Sequence, residues 1–393
     1  MATSFHLIRS FFPWVAILLS LALSTLFWQS DLLSHWDNQL LKHYQKLQAP
    51  LQELPLKLVT IQKTGDQTWP WSSLDYAILL NTLGPFAPSV VALDLPLEDG
   101  DPLYPIYDIQ LANQMARFPS VILSQSGSQP HPAPLQASAL IAQSRWLQSP
   151  AGELRKVPLA FLQDSLWKPA FSLQIAASHL GAEWNKSSIQ PGSYIILRDT
   201  QQKILLKIPV DADCRMLIDH RIFRTHPPST EFYSAIISAE DLRNGGTGTE
   251  SFHDIRRHII LVGTEAPGTY REINSPGGPL PSVYLNYQVV SQLLSARFSS
   301  EMNGYFYFLF LAVACTATGA LALLPSRLGS LSLLILYLTA CCIGSFLSYD
   351  LGKIWWPLFP LLLGGSLSWI SARCLALVGT AEKNDQPELF PDF

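Results

Sequence analysis

The sequence predicts a mixed, largely parallel α/β domain inserted between one N-terminal and three C-terminal transmembrane helices. Two observations carry this reading: charge is confined to the middle of the chain, and short apolar strands alternate with helical segments within that middle. Of 393 residues, 14% are charged and 48% hydrophobic, where a soluble chain would carry about a quarter charged. Between Asp31 and Glu301 there are 21 Lys/Arg and 25 Asp/Glu, and the two ends together hold five of each. The middle is therefore an ordinary soluble domain of mildly acidic charge. With no basic cluster, nucleic acid is excluded as a partner.

Four segments of membrane length lack charge: Phe11–Trp28, Gly304–Leu324, Leu328–Ser348 and Ile354–Ala372. Each is near the ~20 residues that cross a bilayer. Pro325–Arg327 and Tyr349–Lys353 separate the last three as short turns. Arg9 precedes the first segment, and Asp31 and Asp37 follow it, which places the N-terminus in the cytoplasm. Four crossings then return the C-terminus to the same side, with Arg327, Arg373 and Lys383 inside and Lys353 outside. A cleaved signal peptide is the alternative for the first segment. The bulky residues of Leu26-Phe27-Trp28-Gln29-Ser30-Asp31 offer no small-residue cleavage site, which favours an uncleaved anchor. The expected division is 1–30 for the N-terminus and first span, 31–300 for the outer domain, 301–379 for three spans and 380–393 for a cytoplasmic tail. Bilayer lipid is thus the first expected partner, with the main domain outside the cytoplasm.

Within the domain, Lys57–Ile61 reads as a strand and Ser72–Leu83 as a helix capped by Ser72 or Ser73. Residues 74, 78, 79 and 83 mark its apolar face. Gly84-Pro85 ends it. Ser89–Asp94 reads as a buried strand, Ile109–Arg117 as a helix and Val121–Leu123 as a strand. This β-α-β-α-β order predicts parallel pairing. Ser124–Pro134 is polar. Phe171–Leu180 is helical, Tyr194–Arg198 and Lys203–Ile208 form a hairpin, Ser234–Leu242 is helical, Ile259–Val262 is a buried strand and Ser282–Leu294 a helix. Arg243–Glu250 is a glycine-rich loop. Of five cysteines, only Cys214 lies in the domain, so no internal disulfide forms there.

The segment HIILVGTEAPGTY (His258–Tyr270) comes close to a phosphate-binding loop, with Gly263 and Gly268 five apart. That chemistry needs a lysine for the phosphates after the second glycine. Here Thr269 and Tyr270 follow, and Glu265 would repel an anion. The acidic stretch Asp94, Glu98, Asp99, Asp101, with Asp108 beyond, begins where a parallel strand ends, the edge at which α/β sheets carry ligands. It suits a cation or polar ligand, against a solvated loop with helix-capping aspartates. Asp211-Ala212-Asp213 lacks the glycine and distal glutamate of a calcium loop. Trp69-Pro70-Trp71 is expected to pack on the helix it precedes. The His253–His258 region reads as a polar loop, and no Gly-x-Ser-x-Gly elbow is present. No enzyme chemistry, metal site or cofactor is expected. The candidate ligand residues are Asp94, Glu98, Asp99, Thr264, Glu265 and Arg271, for a small molecule the sequence does not name.

The apolar segments contain no ionisable residue, which disfavours a transport path. Ala312, Thr316 and Ala320, with Cys315 and Gly319 alongside, are expected to form a helix-packing stripe.

Taken together, Trp69-Pro70-Trp71 with its helix, Ala92-Leu93-Asp94, and Gly152–Leu159 with Arg155 and Pro158 resemble the CHASE2 extracytoplasmic sensor domain of bacterial signalling proteins. The resemblance covers Leu56 to Phe298. It continues through Ile208–Asp211, Tyr233-Ser234 with Asp241-Leu242, His258–Thr264, Ser275-Pro276 and the helix around Asn286. Departures fall at Ile218-Asp219-His220, Arg271-Glu272 and Leu280-Pro281-Ser282. The resemblance implies a sensory role, a bacterial inner membrane, and one span before the domain with three after it. Relatives of this kind continue into a cytoplasmic kinase or nucleotide cyclase, whereas 379–393 is too short to fold alone. The expectation is a sensor without its own output enzyme, passing a signal to a separate membrane signalling protein or a second copy of the chain. A structural envelope protein that keeps the fold without sensing is the alternative.

Overall fold

In a computed structural model the chain is described over residues 2–29, 33–47, 54–61, 71–101, 104–127, 129–144, 154–219, 236–239, 256–265, 272–275, 278–324 and 326–384. It forms two compact units, one of residues 49–298 and one of 1–48 with 299–393.

The elements run α1 (Ala2–Gln29), α2 (Ser34–Leu47), β1 (Leu56–Ile61), α3 (Ser73–Leu83), β2 (Val90–Asp94), α4 (Pro105–Met115), β3 (Val121–Gln125), α5 (Ala133–Ser138) and β4 (Leu140–Gln143). Next come β5 (Lys156–Pro158), β6 (Ala160–Gln163), β7 (Leu166–Pro169), α6 (Phe171–Leu180), β8 (Ser188–Gln190), β9 (Tyr194–Arg198), β10 (Ile204–Pro209) and β11 (Arg215–Leu217). β12 (Ile236–Ser238), β13 (Ile259–Thr264), β14 (Glu272–Ser275), β15 (Gly278–Pro281) and α7 (Ser282–Leu294) complete the first unit. The second unit continues with β16 (Ser300–Glu301), α8 (Gly304–Ala322), α9 (Arg327–Gly352), β17 (Ile354–Trp355) and α10 (Phe359–Asn384).

Six parallel strands form the main sheet in the order β12-β1-β13-β2-β3-β4. The late strand β13 enters between β1 and β2. It pairs along its whole length with β1 and from Ile259 to Gly263 with β2. Side chains alternate across the sheet with the period of two that strand geometry imposes. Val59, Ile61, Val91, Leu93, Leu123, Ile260 and Val262 join the core that includes Tyr76, Leu79 and Leu83 of α3 and Leu111 and Met115 of α4. Leu58, Val90, Ala92, Ile122, Ile259 and Leu261 face Phe171 and Ile175 of α6 and Val283, Tyr287 and Val290 of α7. A third core lies on the far side of α6 and α7, where Leu173, Ala177, Leu285 and Val289 meet the β8-β9-β10 sheet and β11.

Ser72 caps α3 by a capping box, accepting from the Asp75 amide while Asp75 accepts from the Ser72 amide, and Trp71 packs at 5.8 Å on Tyr76. The face of α3 differs from the expected one. Tyr76, Ala77, Leu79, Leu80 and Leu83 are buried, and Ile78 is exposed, because the helix is sandwiched between the sheet and α4 and buries a wider stripe. The segment expected as a helix over Ser234–Leu242 instead contributes strand β12, since Ile236–Ser238 pairs in parallel with Leu58–Thr60 at the sheet edge. A two-isoleucine run beside an open strand edge satisfies more backbone hydrogen bonds there than a lone helical turn would.

In the other unit, α8 and α10 pack closely, and α1 lies against both. The close approach uses glycine: a Cβ on Gly319 would meet Ile17 at 2.7 Å and Ser368 Oγ at 2.9 Å, and one on Gly364 would meet Ser24 Oγ at 2.5 Å. The buried stripe of α8 is Leu311, Ala314, Cys315, Thr318, Gly319 and Ala322, while Thr316 and Ala320 are exposed. The expected stripe at 312, 316 and 320 is thus displaced by about a third of a turn; Cys315 and Gly319 are the members that pack. The last apolar segment also begins later than expected. Ile354 and Trp355 pair with Ser300 and Glu301, and Asp37 accepts from the amides of Leu358 (2.8 Å) and Phe359 (3.2 Å), capping α10. Among the described residues two helices, Gly304–Ala322 and Leu328–Gly352, are long and apolar enough to cross a membrane, and Trp14–Gln29 and Phe359–Leu375 are shorter apolar helices.

Candidate functional site

The carboxyl ends of β13, β2 and β3 lie side by side, and counting by two along each strand gives their facing. Gly263, Asp94 and Ser124 all fall on the side that holds Val90, Ala92, Ile122 and Leu261, which is the side of α7. Gly263 pairs with Asp94 in the ladder. A Cβ on Gly263 would lie 2.3 Å from Val283 Cγ2 and 2.5 Å from Val283 Cβ. This glycine therefore serves helix packing: it lets the first turn of α7 settle on β13. Gly268 and Arg271 lie outside the described residues.

The close approach delivers two side chains of α7 to Asp94. Ser282 Oγ and Asn286 Nδ2 each donate to Asp94 Oδ2 at 2.9 Å. Asn286 is fully buried, and its Oδ1 accepts from Ser172 Oγ of α6 at 2.7 Å. One carboxylate thus ties the central strand directly to α7 and, through Asn286, to Ser172 of α6. Asp94 keeps a little solvent exposure, yet the surrounding protein raises its pKa above the ordinary aspartate value. Burial is the largest cause; hydrogen bonds from Ser282, Asn286 and Ser124 oppose it, and the charge of Glu98 adds to it. The position at the amino end of α7 also favours the ionised form through the helix dipole.

The acidic loop after Asp94 is laced to its neighbours. Glu98 accepts from Ser126 N (2.8 Å) and Oγ (3.0 Å), clasping the loop after β3. His131 is buried and donates from Nε2 to the Ser124 carbonyl at 3.1 Å. Buried Asp108 accepts from Ser73 Oγ at 2.5 Å and from the Asp101 amide at 3.2 Å. Gly100, at φ +67°, is the turn residue: a Cβ there would lie 2.8 Å from both Asp108 Oδ2 and Pro132 Cγ. Asp99 is exposed. Of the residues delivered by β13, Thr264 is buried and donates to the Ile61 carbonyl at 3.3 Å. Glu265 is half-buried and accepts from the Tyr284 hydroxyl of α7.

The fold thus gathers Asp94 and Glu98 at one edge and brings Glu265 to α7 by a second contact. Asp99 points to solvent. Ser124 and Ser172 were not singled out from the sequence, and Ser282 and Asn286 entered only as positions of the family resemblance, not as candidate ligand residues; the period-two count from the buried strands was the signal that could have found Ser124. Among the described residues no group of three His, Cys, Asp or Glu is placed to hold a metal ion. Asp211 anchors a turn, accepting from the Asp213 and Arg215 amides and pairing with Lys156 and Arg215. Burial alone would raise its carboxyl, but the Arg215 hydrogen bond and the two cations outweigh that and hold it below the usual range.

The model of the CHASE2 domain, a sensor family, matches residues 15–323 of the chain. No curated protein and no solved structure matches it.

Proposed function

The chain belongs to the CHASE2 family, and from that premise we propose that it is a non-enzymatic, membrane-anchored sensor. Its α/β domain would lie outside a bacterial inner membrane, with both termini in the cytoplasm. A small polar molecule would be detected at the carboxyl edge of the sheet, at Asp94 and Glu98 with Glu265 nearby in the fold. The observation that carries this reading is the link from Asp94 to Ser282 and Asn286. Any ligand that competes for that carboxylate acts directly on α7, the last helix before the chain reaches Gly304. The signal would pass through the apolar helices to a separate membrane signalling protein or a second copy. The exposed leucines of α9, among them Leu328 (80%) and Leu351 (79%), support a lipid surrounding.

A second reading, an envelope protein that keeps the fold without sensing, is favoured by one observation. The edge carboxylates are already satisfied from within, Asp94 by α7, Glu98 by Ser126 and Asp108 by Ser73. The two readings separate in a melting experiment on the full chain in lipid nanodiscs, screened against a library of small polar metabolites. A sensor is expected to melt higher with at least one compound, because a ligand of the native state stabilises it, and Glu98→Gln should abolish that shift. If no compound shifts the melting temperature and chemical cross-linking in cells captures no membrane protein and no second copy, the sensory reading fails.

A further inference from the structure

A second recessed surface lies far along the chain from Asp94, in the same unit. The hairpin β6–β7 turns through Asp164 and Ser165, both with positive φ (50° and 64°), the conformation of a tight two-residue hairpin. Behind it, the Trp184–Lys186 turn that follows α6 packs its tryptophan against β7: Trp184 Nε1 donates to the Trp167 carbonyl at 2.9 Å. Between β7 and the segment from Trp184 to Ile189 opens a cleft of about 400 Å³. Both tryptophans line it, and both also rest on the third core, so their rings are held from behind. Lys168, Asn185 and Ser187 supply the polar part of the lining, and no carboxylate contributes.

We infer that this cleft binds a saccharide. A sugar ring has an apolar C–H face and a rim of hydroxyls, and the cleft offers the complement of each. The indole rings give flat apolar area, already fixed in place, so little side-chain freedom is lost on binding. The Lys168 ammonium and the Asn185 amide donate to and accept from hydroxyls, while Ser187 Oγ, which donates to the Glu183 carbonyl at 2.8 Å and accepts from the Arg198 amide at 3.3 Å, keeps one lone pair to accept from another. Other occupants fit less well. A cation would meet Lys168 and no opposing carboxylate. A hydrocarbon tail would leave the Lys168 and Asn185 groups unused. An extended peptide adding to the edge of β7 would find the Trp167 carbonyl already taken by Trp184 and no N–H at Pro169. The volume falls within the range of small-molecule clefts, about 300–1,000 Å³. This inference goes beyond the sensory reading and uses none of the Asp94 network.

The test is calorimetric titration, with saturation-transfer NMR, of the full chain in lipid nanodiscs. Sugar-headed detergents are avoided because they would compete. The probes are a β-1,4-linked N-acetylglucosamine trimer, an α-1,4-linked glucose trimer and the peptide Val-Thr-Val-Thr. At least one trisaccharide is expected to bind, and the peptide is not. Trp167→Ala is expected to weaken that binding about tenfold or more, equivalent to about 1.4 kcal/mol. Trp184→Phe, which keeps a ring and loses the N–H anchor, should weaken it less, and melting curves of both variants check that the fold persists. Binding of neither sugar overturns the inference. So does equal affinity in both tryptophan variants, or binding of the peptide in place of the sugars. Such a failure leaves the edge reading standing, because that reading is tested by Glu98→Gln.

Discussion

Gly263→Ala is expected to destabilise the α/β unit by about 3 kcal/mol, at the upper end of overpacking penalties. The added methyl would sit 2.3 Å from Val283 Cγ2 and 2.5 Å from Val283 Cβ. Neither atom can retreat alone. Val283 is β-branched and near the start of a helix, where essentially one rotamer is open to it, and its Cβ moves only with the backbone. Relief therefore requires α7 to lift from β13, which draws Ser282 and Asn286 away from Asp94. Urea denaturation of the full chain in nanodiscs, followed by tryptophan emission, measures the loss. Adding Val283→Ala removes both γ-carbons and should recover part of it, so the double variant is more stable than the sum of the single effects predicts. A Gly263→Ala protein as stable as wild type would show that this glycine is not there for helix contact.

That glycine also shows how far the sequence was legible. The strand before it, the missing lysine after it and the acidic Glu265 were enough to set aside nucleotide binding. The reason for the glycine was not visible, because Val283 lies 20 residues further on and meets it only once β13 has entered between β1 and β2. Local signals carried the elements whose partners are near in sequence. Ser72 with Asp75, the Asp199–Gln202 turn and the alternating apolar strands all speak for themselves. β12 was misread because three residues at a sheet edge take their structure from Leu58–Thr60, far away in the chain. The packing stripe of α8 failed for a related reason. A helix rich in small residues all round offers several equivalent faces, and Ile17 and Ser368 on other helices select the one that buries Gly319. At the candidate site, Asp94 was recognisable as a strand-ending carboxylate. Its partners Ser282 and Asn286 were not, because polar residues inside a helix announce no direction until the helix is docked.

Asp94→Leu is expected to cost about 3 kcal/mol, since it leaves the buried Asn286 amide and the Ser282 hydroxyl without their common acceptor. Asp94→Asn should instead stabilise the protein at neutral pH. It keeps an acceptor for Asn286 and removes the charge whose burial is unfavourable, and the hydroxyls of Ser282 and Ser124 can rotate to accept from its new N–H group. The two variants part most clearly in their pH dependence. The folded-state pKa of Asp94 is raised above the unfolded value, so the native state binds the proton more tightly. The stability this contributes is present in full below the ordinary aspartate pKa of about 3.9 and is lost as pH rises through the folded value. His179 works in the opposite sense. Burial, with the nearby His258, lowers its pKa, so its contribution is lost as pH falls below the ordinary histidine value of about 6.5. Melting curves of wild type and Asp94→Asn should therefore converge toward acid pH and separate above it, with Asn the more stable at neutrality. In a His179→Gln background that separation should persist, since the histidine titrates independently. Parallel curves across the whole range would mean that the Asp94 carboxyl does not pay for its burial with a shifted proton, and that its bonds to α7 fully compensate the charge.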